Sequence, residues 1–85
     1  MDYVLAVFRS RNETLYLANM LKSNGYNVYI INTPQSIGQA CGISVKFSKN
    51  ILSIVRDFMR TKPFRAFFGF FIVKKEEGQM SFIRV

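Results

Sequence analysis

The spacing of apolar positions changes repeatedly along the chain, and each change marks a new element. DYVLAVFR, Asp2 to Arg9, is an unbroken apolar and β-branched run, the pattern of a central strand. Ser10-Arg11-Asn12-Glu13 follows with the S-x-x-E spacing of a capping box, which predicts a helix with Ser10 as cap and Glu13 reaching back. Leu17, Ala18 and Leu21 share one face of that helix, with Thr14 one turn earlier, and Asn24-Gly25 stops it because glycine tolerates a left-handed C-cap.

YNVYIIN, Tyr26 to Asn32, predicts a second strand, and GISVKF, Gly42 to Phe47, a third. The third alternates: Ile43, Val45 and Phe47 toward the core, Ser44 and Lys46 away. Ser48 then caps a second helix whose Ile51, Ile54, Val55 and Phe58 recur at helical spacing, ending before Pro63. A fourth strand is expected from Arg65 to Val73, and the polar KKEEGQ turn, Lys74 to Gln79, leads into an SFIRV tail able to pair as a fifth.

The order β-α-β-β-α-β predicts an α+β fold, the ferredoxin-like plait: an antiparallel sheet ordered 4-1-3-2, both helices on one face, and an extra C-terminal strand. With 85 residues, positions 1–85 form a single domain.

This topology has a consequence for the only cysteine. The loop between strands two and three falls at the end of the sheet where strand one finishes, the first helix begins and the second helix gives way to strand four. Cys41 is therefore expected near Arg9, Arg11, Arg60, Lys62 and Arg65, and near the free N–H groups that open the first helix. Cations and a helix N-terminus both favour thiolate over thiol. Pro34 presets one backbone dihedral of the loop, Gly38 and Gly42 permit unusual backbone conformations, and Gly42 is expected to leave room beside the sulfur. Two readings of Cys41 stand side by side: a small hydrophobe against the core, or a presented thiol.

The rest of the inventory removes most chemistry. No histidine is present, so Cys-His and Ser-His nucleophile pairs are excluded. Zinc takes about four N or S ligands, which one cysteine without histidine does not supply, and no metal or other cofactor is expected. Asp2, Glu13, Asp57, Glu76 and Glu77 form no acid-base pair by spacing, and no glycine-rich phosphate loop occurs. One cysteine makes no internal disulfide, and no apolar run reaches the roughly 18 residues of a membrane span, which together point to the reducing cytoplasm.

Twelve Lys and Arg against five Asp and Glu give a net charge of +7, favouring an anionic partner. RAFFGFFIV, Arg65 to Val73, resembles the aromatic strand of RNA-recognition plaits, but the first glycine of that motif is missing and the cluster falls in strand four instead of three. Nucleic acid is disfavoured on that ground. Phe68 and Phe70 alternate with Phe67, Gly69 and Phe71, so strand four is apolar on both faces while helices cover one. Either the tail or a loop covers the second face, or two chains meet there as a homodimer.

Phe8-Arg9-Ser10 ending the first strand, the helix closing at Leu21 to Gly25, and Pro34, Ile37, Cys41, Gly42 and Ile43 leading into strand three resemble the Se/S carrier protein-like family of small bacterial domains. The likeness spans essentially the whole chain, with Gly38 where the family often has serine and Ala40 where a small polar residue is common. The resemblance implies that Cys41 bears sulfur or selenium as a persulfide or perselenide, received from a donor protein and passed to an acceptor. Arg9 and Arg11 would then stabilise the anion, and Pro34 and Gly42 would shape the loop. Such a protein is a carrier or accessory rather than a stand-alone enzyme.

Overall fold

A computed structural model describes residues 2–38 and 41–85. Five strands and two α-helices alternate as β1 (Tyr3–Phe8), α1 (Arg11–Ser23), β2 (Val28–Asn32), β3 (Ile43–Ser48), α2 (Leu52–Arg60), β4 (Phe67–Glu76) and β5 (Gln79–Arg84), with short 3-10 turns at Gln35–Ile37 and Lys49–Ile51. The fold is α+β, and all pairings in its sheet are antiparallel. The strand order is β2-β3-β1-β4-β5, so the chain departs from a bare four-stranded arrangement by adding β5 outside β4.

Local signals account for the ends of α1. Ser10 Oγ accepts from Glu13 N at 3.3 Å, as an N-cap should. At the other end Tyr26 N–H donates to Leu21 O and Gly25 N–H to Lys22 O, each at 3.0 Å, with Gly25 at φ 87°. That is a Schellman closure, and it needs a residue content with positive φ. Thr14, Leu17, Ala18 and Leu21 are the buried face of the helix.

Glu13 does not complete the capping box. Its carboxylate crosses to the far segment and accepts from Arg65 N at 3.0 Å and Ala66 N at 2.9 Å. The side chain thereby ties the start of α1 to the approach of β4, a contact between residues 52 and 53 positions apart.

Strand β1 sits at the centre, and Val4 through Phe8 are each wholly buried. Val4, Ala6 and Phe8 pack with Leu17, Leu21 and Val55 beneath the helices. Leu5 and Val7 point to the opposite face, where they pack with Phe71 and Val73 and are flanked by Tyr3, Ile31, Ile37, Phe68 and Phe82. The second apolar face is thus covered within one chain, by a loop residue and a β5 residue among others.

Three local expectations are corrected. The pairing of β1 with β4 slips after Val7↔Gly69 to Phe8↔Phe67, leaving Phe68 as the extra residue of a β-bulge. Simple alternation therefore fails: Phe67 joins Phe70 under the helices, with ring centroids 4.8 Å apart, and Phe68 joins Phe71 on the other face at 5.9 Å. Ser44 faces away from the helices but is wholly buried, bonded to Thr33 Oγ1 at 2.5 Å. The polar KKEEGQ segment is mostly strand, because β4 runs to Glu76 and only Glu77-Gly78 turns. Both residues have positive φ, 49° and 80°, the geometry of a two-residue hairpin turn matched to strand twist.

Replacing Glu13 by alanine leaves two backbone N–H groups without their charged acceptor, and a loss of about 2 kcal/mol is expected. Urea unfolding followed by circular dichroism measures it; Glu13→Gln, which keeps one acceptor oxygen, should lose distinctly less. Equal midpoints for Glu13→Ala and the parent would contradict the tether.

Candidate functional site

The β2–β3 loop reaches the end of the sheet where β1 finishes. Its neck is closed by Thr33 N–H donating to Gly42 O at 2.9 Å, and Cys41 N–H donates to Phe8 O at 3.2 Å. The backbone on both sides of the sulfur is therefore fixed to the sheet. Pro34, at φ −58°, leads into the 3-10 turn, whose carbonyls Pro34 O and Gln35 O accept from Ile37 and Gly38 N–H, each at 3.1 Å.

Gly42 has φ 99°, but a side chain there would meet nothing within 4 Å. The glycine is needed for its backbone conformation and not, as expected, to clear space for the thiol. Ala40 lies outside the described residues.

Cys41 is half-buried and free. Its Sγ lies 3.6 Å from Thr14 Oγ1 and 3.5 Å from Ile43 O. Thr14 is wholly buried in the first turn of α1, and its hydroxyl also donates to Ser10 O at 3.0 Å. A hydroxyl has one proton, which limits the arrangement. While that proton is on Ser10 O, Thr14 Oγ1 and Ile43 O compete for the single thiol proton; turned toward the sulfur, the hydroxyl donates to an anion there.

The cations expected around the thiol are spread over this end of the sheet. Arg9 Cζ lies over the Phe68 ring at 5.0 Å, and Lys62 Nζ over Tyr16 at 5.2 Å. Arg60 pairs with Asp57 at 3.4 Å, Arg65 is tied through its backbone to Glu13, and Arg11 opens α1 in solvent. Among the described residues the polar partners of the sulfur are Thr14 and Ile43, both neutral. In the sequence Thr14 reads as one more member of the helix face and not as a site residue. The available signal was a polar side chain in an otherwise apolar stripe, one turn from a cap.

A family model described as "Putative Se/S carrier protein-like" matches residues 3–66. The chain belongs to this family. The matched span of the Se/S carrier-like domain takes in β1, both helices and the Cys41 loop and ends just before β4. Comparison with curated proteins and with solved structures gave no match. Among the described residues, no helix is long and apolar enough to cross a membrane.

Thr14→Val keeps the volume of the buried side chain and removes the hydroxyl. Alkylation of Cys41 by iodoacetamide is expected to slow about fivefold, the equivalent of one lost hydrogen bond of about 1 kcal/mol, with Thr14→Ser restoring the rate. The rate is read by intact mass against time. An unchanged rate in a folded Thr14→Val protein would remove Thr14 from the site.

Proposed function

We propose that this domain, a ferredoxin-like plait extended by one strand, is a sulfur or selenium carrier with Cys41 as the acceptor thiol. The reading rests on one observation above others: the backbone around Cys41 is pinned to the end of β1 while the residue as a whole is only half-buried. Membership of the Se/S carrier-like family supports a transfer role for that thiol.

The transfer balances without a cofactor. The Cys41 thiolate attacks the outer, sulfane sulfur of a donor persulfide, forming a new S–S bond as the donor's inner sulfur leaves as a thiolate. The product is a Cys41 persulfide. An acceptor nucleophile then attacks the outer sulfur and Cys41 returns as thiolate, so the carrier shows no net oxidation. Selenium follows the same steps as a perselenide.

Within this scheme Thr14 donates to the anionic sulfur, Pro34 and Gly42 hold the loop, and Arg9 and Arg11 raise the local potential at the β1–α1 junction. The domain supplies no acid-base pair of its own. Donor and acceptor proteins provide the remaining chemistry, as a carrier or accessory role requires.

The protein incubated with a cysteine desulfurase and cysteine, or with polysulfide, should gain the mass of one sulfur atom, released by dithiothreitol and absent in Cys41→Ser. A Cys41 that resists iodoacetamide at neutral pH until the protein is denatured would sink the proposal.

A further inference from the structure

The helix-free face of the sheet carries a pattern of which thiol chemistry uses at most Arg9. Pairing aligns Tyr29, Lys46, Leu5, Phe71 and Arg84 in one row across all five strands, and Ser48, Tyr3, Val73 and Phe82 in the next. The inner members Leu5 and Val73 are wholly buried, whereas Tyr29 is 59% exposed.

Arg84 is held in place on this face. A Cβ at Gly69 would come within 2.8 Å of Arg84 Nε, so the glycine opens a slot in an aromatic strand for the guanidinium. There Arg84 Nη2 donates to Phe68 O, and its Cζ lies 4.7 Å from the centroid of the bulged Phe68 ring. Arg9 Cζ is 5.0 Å from the same centroid. Two guanidiniums thus share one ring, and neither has a carboxylate, since among the described residues the ion pair is Arg60 with Asp57.

Lys46 Nζ adds a third cation, 4.4 Å over Tyr3, and Lys75, opposite Met80 and two residues beyond Val73, adds a fourth. No strand position on this face is acidic.

A second copy docked face to face would oppose like charges, so the charge pattern favours an anionic occupant over self-association. An acidic protein would use only the cations. A nucleic acid strand uses both features: phosphates on Arg9, Lys46, Lys75 and Arg84, and bases stacked on Tyr3, Tyr29 and Phe82 or on the guanidiniums themselves. We infer that the helix-free sheet face binds single-stranded nucleic acid, independently of Cys41. RAFFGFFIV departs from the RNA-recognition motif within one strand, whereas pairing places aromatics of β1, β2, β4 and β5 on one surface.

Fluorescence anisotropy with a labelled twelve-nucleotide oligouridylate, roughly the site size of a small sheet platform, tests it. Affinity should fall with salt at a log–log slope of about −3, from four cations at about 0.7 each. Tyr29→Ala should weaken binding by at least about fivefold, the low end of one lost stacking contact. Lys46→Ala should weaken it and flatten the slope by about 0.7, while Lys22→Ala on α1 and Cys41→Ser bind as the parent does.

Three results would overturn the inference: no saturable binding at low salt, equal or tighter binding of poly-glutamate, or amide shifts confined to the cleft of Arg56, Lys62 and Phe64. Equal or tighter poly-glutamate binding would mark the face as a dock for an acidic protein.

Discussion

From Val4 to Phe8, strand β1 has no side that meets solvent, and the molecule is arranged around that constraint. Val4 to Phe8 are all fully buried, and because strand side chains alternate, their apolar surface is divided between two faces. Two helices cover one face with Leu17, Leu21 and Val55. The other has no helix, so it is closed by side chains of the sheet and of the β2–β3 loop: Phe68, Phe71 and Phe82 from the hairpin, Tyr3 from β1 itself, Ile37 from the loop. Rings used as a lid leave π-faces outward, and Arg9, Lys46 and Arg84 settle on them. The basic aromatic surface is in this sense a consequence of covering β1 without a third helix.

The end of β1 matters for a related reason. A central strand that stops must hand its last backbone groups to something, and here Phe8 O takes Cys41 N–H while Arg9 N–H goes to Ala66 O. Three segments distant in sequence are drawn to one point, and Glu13 adds a further link between α1 and the approach to β4. The thiol of a Se/S carrier-like domain is thereby fixed by main-chain bonds, with its sulfur against the first turn of α1. Its fixed position comes from the backbone, and its half-buried state from the loop's place at the end of the sheet.

Much of this was legible from residue order. Ser10 and Gly25 mark the ends of α1, the Thr14-Leu17-Ala18-Leu21 stripe marks its buried face, and the placing of the Cys41 loop beside the β1–α1 junction follows from element order once the strands are paired antiparallel. The helix caps depend on side chains within a few positions of one another, and so the sequence carries them directly. The family resemblance likewise rests on short local motifs: Phe8-Arg9-Ser10, the helix end at Leu21 to Gly25, and the loop from Pro34 to Ile43.

What the sequence by itself determined is the set of elements, their order and the loop that carries Cys41, because each follows from local periodicity, capping and turn chemistry. The tertiary structure alone decided the bulge that sends Phe68 to the helix-free face, the burial of Ser44 against Thr33, the reach of Glu13 to Ala66 and the partnership of Thr14 with the sulfur. Each of these joins residues far apart in the chain, and whether a side chain finds such a partner depends on pairing register. A slip of one residue in β4 redistributed its phenylalanines between the faces, and no pattern confined to FFGFF records it.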